Sequence, residues 1–122
     1  MKSFPSRLIL TLLFGFALTL TINAQIPNKF IGTWNQDAPD AGGYETATVV
    51  IDKQSIATTF TNGSQNTASG VKFKSDTLEY NMDVDGEFVQ CYFVVKDKNN
   101  LKGFASWSSG ETDLILTRTK DE

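Results

Sequence analysis

Beyond residue 25, apolar and polar residues alternate with a period of two over most of the chain. In residues 45–51, Ala47, Val49 and Ile51 fall on one face. In residues 77–84, Leu78, Tyr80, Met82 and Val84 face one way, while Thr77, Glu79, Asn81 and Asp83 face the other. Successive strand residues point to opposite sides of a sheet, so this pattern predicts antiparallel strands with one dry and one wet face. Nowhere beyond Gln25 do apolar residues recur at three and four positions for long enough to predict a helix.

Turn-forming residues cut this pattern at regular intervals. Asp40-Ala41-Gly42-Gly43, Asp52-Lys53-Gln54-Ser55 and Asn62-Gly63 are followed by Lys74-Ser75-Asp76, Asp85-Gly86, Asp97-Lys98-Asn99-Asn100 and Ser109-Gly110. Asn-Gly and Asp-Gly tolerate the positive φ angles of tight hairpins. These seven connections predict eight strands at about 30–35, 44–52, 55–61, 67–74, 77–84, 87–96, 101–108 and 111–119. Short connections favour pairing between neighbours in sequence. The expected fold is therefore all-β, an eight-stranded antiparallel up-and-down (meander) β-barrel, with a sandwich as the competing arrangement. Closing the sheet also removes the edges that invite aggregation.

The first residues read differently. Lys2 and Arg7 precede an apolar run at 8–20, and Thr21-Ile22-Asn23-Ala24 follows, ending in a small residue. This three-part pattern predicts a secretory signal peptide over 1–24, removed to leave a single domain at 25–122. The run of thirteen is shorter than the ~20 apolar residues of a spanning helix. No cysteine follows it to carry a lipid, so no membrane anchor is expected after cleavage. The protein is expected to be exported, to the periplasm or beyond the cell.

Charge narrows the partners. Without Lys2 and Arg7, nine basic residues stand against fourteen acidic ones, a net of −5. The basic residues are scattered, so no nucleic acid is expected as a partner. Cys91 is the one cysteine, so no intramolecular disulfide forms, and an apolar core must hold the domain together.

The chain contains no histidine, which removes Ser-His-Asp and Cys-His catalysis and histidine metal sites. Cys91 lies in an apolar run with no cation nearer than Lys96 and reads as a buried structural thiol. Asp83-Val84-Asp85-Gly86-Glu87 has the look of a calcium-loop opening. A strand resumes at Phe88, however, and a hairpin turn is the better reading. The remaining carboxylates show no convergence on a cleft. Neither an enzyme nor a cofactor or metal is expected.

At the start of the predicted first strand and in the last one stand Phe30-Ile31-Gly32-Thr33-Trp34 and Leu114-Ile115-Leu116-Thr117-Arg118. A Gly-x-Trp in the first strand with an Arg in the last resembles the calycin superfamily of lipocalins, fatty-acid-binding proteins and avidins. It resembles most the short lipocalin-like domains of exported bacterial proteins, over about 28–119. The resemblance implies that Trp34 closes the barrel floor and Arg118 stacks over it as a structural pair. Asn35 directly follows Trp34, whereas the ligand-contacting Asn of avidins lies two residues on and shares the Trp's face. Biotin binding is therefore not carried over.

Trp34, Phe60, Phe73, Tyr80 and Trp107 are assigned to the interior and form the candidate ligand-binding set, with Tyr80 as a polar handle. Two readings remain open. In one, these rings line a pocket for a small hydrophobic ligand; in the other, they fill the core. In the second case the apolar run at 88–95 puts Phe88, Tyr92 and Val94 outward as a stripe for a partner or a second copy, and the domain is a structural or protein-interaction module.

Overall fold

The computed structural model of the protein describes residues 24–119. The predicted signal peptide lies outside the described residues except for Ala24. A short 3-10 turn, Asn28–Phe30, leads into nine strands: β1 (Gly32–Asp37), β2 (Thr46–Ile51), β3 (Ile56–Phe60), β4 (Gln65–Thr67), β5 (Ser69–Lys74), β6 (Thr77–Val84), β7 (Glu87–Asp97), β8 (Asn100–Trp107) and β9 (Gly110–Arg118). All pairings are antiparallel, and the sheet runs β4-β3-β2-β1-β9-β8-β7-β6-β5. The first strand pairs with the last, Trp34 opposite Arg118, so the meander curls into an all-β, nearly closed barrel.

The strand count corrects the expectation of eight. The segment expected as one strand at 67–74 is two, β4 and β5, separated at Ala68. Gly70 has φ +60°, outside the extended region, and the β5–β6 register shifts between Ser69 and Lys72. Before this break the chain pairs with β3, and Ala68 N–H still donates to Ile56 O; after it the chain pairs with β6. The two ends of the sheet order are thus consecutive in the chain. A sharp bend of this kind is how a barrel turns a corner. At the opposite end of the prediction, Phe30 and Ile31 belong to the 3-10 turn and its exit, not to the first strand.

Alternation sets the core. β2 and β3 bury every second residue, and Val49, Ile51, Ile56, Leu78, Phe93, Leu101 and Leu116 are almost wholly enclosed. Gly103 of β8 lies where β7 crosses closely, and a Cβ there would run into the Tyr92 carbonyl.

One end of the barrel is sealed. Trp34 has 0% of its surface exposed, and its indole N–H donates to Phe30 O at 3.0 Å. The Arg118 guanidinium lies over the ring, Cζ 4.2 Å from the centroid. The same guanidinium donates to three carbonyls: Nη1 to Ile31 at 2.6 Å, Nε to Lys98 at 3.0 Å and Nη2 to Lys29 at 3.3 Å. Gly32 makes room for it. Its φ is +143°, and a Cβ there would collide with Arg118 Nη1. Phe30, also wholly buried, completes the seal, and Lys29 ties the entering segment to Asp76 at 2.8 Å across the β5–β6 turn.

Two substitutions test this seal. Arg118→Ala removes the stacked cation and three charge-assisted bonds, and should cost roughly 2–4 kcal/mol in chemical denaturation. Gly32→Ala should cost at least about 1 kcal/mol through the collision and the strained φ. Unchanged midpoints for both would show that the seal contributes little.

Candidate functional site

The other end of the barrel is open. A cavity of about 350 Å³ enters there between the turns, lined by Phe60, Met82, Val89, Cys91, Trp107 and Leu114 among others. The β6–β7 turn supplies Asp85, in the left-handed region at φ +51°, followed by Gly86 at φ +95°; successive positive φ angles are what a tight hairpin needs. Asp83 Oδ1 accepts from Gly86 N–H at 2.7 Å and holds this turn. Asp85 and Gly86 thus form a two-residue connection between β6 and β7, the hairpin turn expected of this segment.

Asp85 organises the rim. Its Oδ2 accepts from the Tyr44 hydroxyl at 2.6 Å and its Oδ1 from Ser64 Oγ at 3.0 Å. These bonds join three connections of the open end: the loop after β1, the β3–β4 turn and the β6–β7 turn. The same carboxylate holds the Tyr44 hydroxyl above its ordinary pKa, because a phenolate would lose that bond and face a like charge. The Tyr44 ring meets Phe60 edge-on, with centroids 5.2 Å apart. Its loop is further held by Asp40 N–H donating to Thr112 Oγ1 and by Asn62 Nδ2 donating to Gly43 O. Glu87, the second rim carboxylate, accepts from Ser108 Oγ at 2.9 Å and so links the β6–β7 and β8–β9 turns.

Deeper in, Gln36 is the next inward-facing residue after Trp34 on β1. It lines the cavity with 4% of its surface exposed, and its Oε1 has no hydrogen-bond partner. Cys91 lines the same cavity. Burial pushes its thiol up to about 12, so it stays neutral and unreactive at physiological pH.

The sequence-derived ligand set divides along the barrel. Phe60 and Trp107 line the cavity, whereas Trp34, Phe73 and Tyr80 do not. Trp34 belongs to the sealed end. Phe73 is half-buried against the core from β5. Tyr80 is buried beside Phe93, with ring centroids 5.9 Å apart, and its hydroxyl is without a partner. Burial raises the Tyr80 pKa well above the ordinary value, and that hydroxyl faces the core instead of the cavity. Gln36, Tyr44, Asp85 and Glu87 were not singled out for this site from the sequence. For Gln36 a signal existed, a polar residue at an inward-facing position; for the others, contacts across tens of residues decide.

On the outer wall, Phe88 is 59%, Phe104 45% and Ile115 39% exposed. Tyr92 and Val94 of the expected outward stripe are half-buried, and Tyr92 stacks against Phe104 across the β7–β8 pair with centroids 5.5 Å apart. Among the described residues no group of three or more His, Cys, Asp or Glu is arranged to hold a metal ion.

No family model matches the chain, and no curated protein matches its sequence. Among solved structures, a redesigned β-barrel is similar, with a TM-score of 0.54 and 17% identity over 75% of this chain and 93% of that one. The likeness is one of fold, a β-barrel.

Cys91 reports on the cavity. With the protein folded, it should react with a thiol reagent such as DTNB many-fold more slowly than in denaturant. Equal rates in both would mean that the thiol is open to solvent and the cavity wall is misplaced.

Proposed function

We propose that this chain is an exported, lipocalin-like binding barrel that takes one small ligand with a hydrophobic body at its open end and performs no chemistry on it. The observation that carries this reading is the cavity of about 350 Å³, lined by Phe60 and Trp107, at the end opposite the Trp34–Arg118 seal. A barrel sealed at one end and hollow at the other encloses a ligand on all sides but one, and such a cavity is of the size small-molecule sites use. The leader-like pattern of Lys2, Arg7 and residues 8–20 supports export, and the negative balance supports a partner other than nucleic acid. The Gly32, Trp34 and Arg118 set supports membership of the calycin superfamily.

A second reading has its own observation. Phe104, Ile115 and Phe88 are exposed on neighbouring strands of the outer wall, and an apolar face of this kind suits a protein-interaction module.

Native mass spectrometry of the purified protein with a lipid and metabolite extract tests both. A discrete adduct at one-to-one stoichiometry, lost in Trp107→Ala, is the expected result. A bare monomer with no adduct counts against the binding reading, and a dimer peak with no adduct favours the second.

A further inference from the structure

The connection from β1 to β2 crosses the mouth of the cavity. Its base is closed by Ala38 N–H donating to Glu45 O at 2.7 Å, and residues 39–44 run between. Ala41, Gly42 and Tyr44 of this connection line the cavity. In the sheet order three strands, β9, β8 and β7, separate β1 from β6, so the β6–β7 turn stands on the far side of the opening. Tyr44 reaches that turn, its hydroxyl donating to Asp85 Oδ2 at 2.6 Å. Close by, Asn62 Nδ2 donates to Gly43 O at 2.9 Å from the β3–β4 turn. The connection is thus a strap, rooted in β1 and β2 and fastened opposite. Little packing holds it down. Ala41 and Tyr44 are only partly buried, and a Cβ on Gly42 or Gly43 at its tip would meet nothing. The edge-on contact of Tyr44 with Phe60 supplies its aromatic packing. Its own bonds, Ala41 N–H to Ala38 O and Tyr44 N–H to Ala41 O, let it keep its shape when unfastened. A segment with few buried apolar contacts and exposed hydrogen bonds opens far more often than a core strand.

The geometry points to a lid. Residues 39–44 swing about the Ala38–Glu45 base, the Tyr44–Asp85 bond is the latch, and release of that latch sets how fast a molecule enters or leaves the cavity. Asp85 suits a latch because its second oxygen is held by Ser64 Oγ at 3.0 Å, which keeps the carboxylate in place while the strap moves. The use of the lid rests on the binding reading. Its existence does not, and Cys91, which lines the cavity with 3% of its surface exposed, reports on it without any ligand.

The test is the rate at which methyl methanethiosulfonate, a small neutral thiol reagent, caps Cys91 in the folded protein. Tyr44→Phe keeps the ring against Phe60 and removes the latch. It should speed capping roughly three- to tenfold, the effect of one lost hydrogen bond on the opening equilibrium, with little change in the denaturation midpoint. Ser108→Ala removes the Glu87 link elsewhere on the rim and should leave the rate unchanged. The lid is overturned by unchanged capping in Tyr44→Phe, by an equal gain in Ser108→Ala, or by a gain matched by an equal loss of global stability. A second measurement separates the lid from the binding reading. Bound 1-aminoanthracene, a fluorescent apolar probe, should leave Tyr44→Phe faster by a similar factor in stopped flow. Faster capping of Cys91 with no binding of 1-aminoanthracene upholds the lid and counts against the binding reading. Binding with the same release rate in both proteins overturns the lid and leaves the binding reading standing.

Discussion

The contact between Arg118 and Trp34 joins the first strand to the last. A guanidinium 4.2 Å from an indole centroid, taking three backbone carbonyls at once, pins the exit of β9 to the entry of β1 and to the β7–β8 turn. A cation over an indole face stabilises by about 0.5–2 kcal/mol, and bonds from a charged donor add to that. Its position depends on a single missing Cβ, at Gly32. With no disulfide available, this constraint does for β1 and β9 what a covalent staple does in disulfide-linked small domains.

Sealing one end leaves the other to be built differently. The mouth is held by bonds between turns: Asp85 to Tyr44 and Ser64, Glu87 to Ser108, Asp40 to Thr112. Most of these links lie on exposed side chains, are individually weak and open more readily than a packed core, which suits an entrance. The aromatic residues divide accordingly. Trp34, Phe30 and Phe93 fill the closed half, while Phe60 and Trp107 stand beside empty space. The question of a filled core or a pocket therefore has both answers, in different halves of one barrel.

Much of the fold was legible from local pattern. Alternation in residues 45–51 and 77–84 marked β2 and β6 with their inward residues, and Asp85-Gly86 marked the hairpin between β6 and β7. The corner between β4 and β5 was not read, because Thr67, Ser69, Val71 and Phe73 continue the alternation smoothly through it. Gly70 was the one available sign, an isolated glycine within a strand pattern. Gly32, Trp34 and Arg118 stood out at the ends of the chain, although Gly32's use as clearance for Arg118 needed coordinates. The mouth was the least legible part. The Tyr44–Asp85 bond joins residues 41 apart, and the exposed Phe104 gains meaning only beside Tyr92 on the adjacent strand. Local periodicity sets which face a residue takes, but which turns meet across the mouth depends on the closure of the whole barrel.

The central claim is a barrel sealed at Trp34 and open at Trp107, and these two are the tryptophans of the whole chain. Hydrogen exchange of their two indole N–H signals, followed by NMR, tests it most directly. The Trp34 proton is buried and bonded to Phe30 O, so it should exchange only as fast as the whole domain unfolds, while the Trp107 proton should exchange orders of magnitude faster. Equal exchange at the two indoles, or a faster Trp34, would contradict the account.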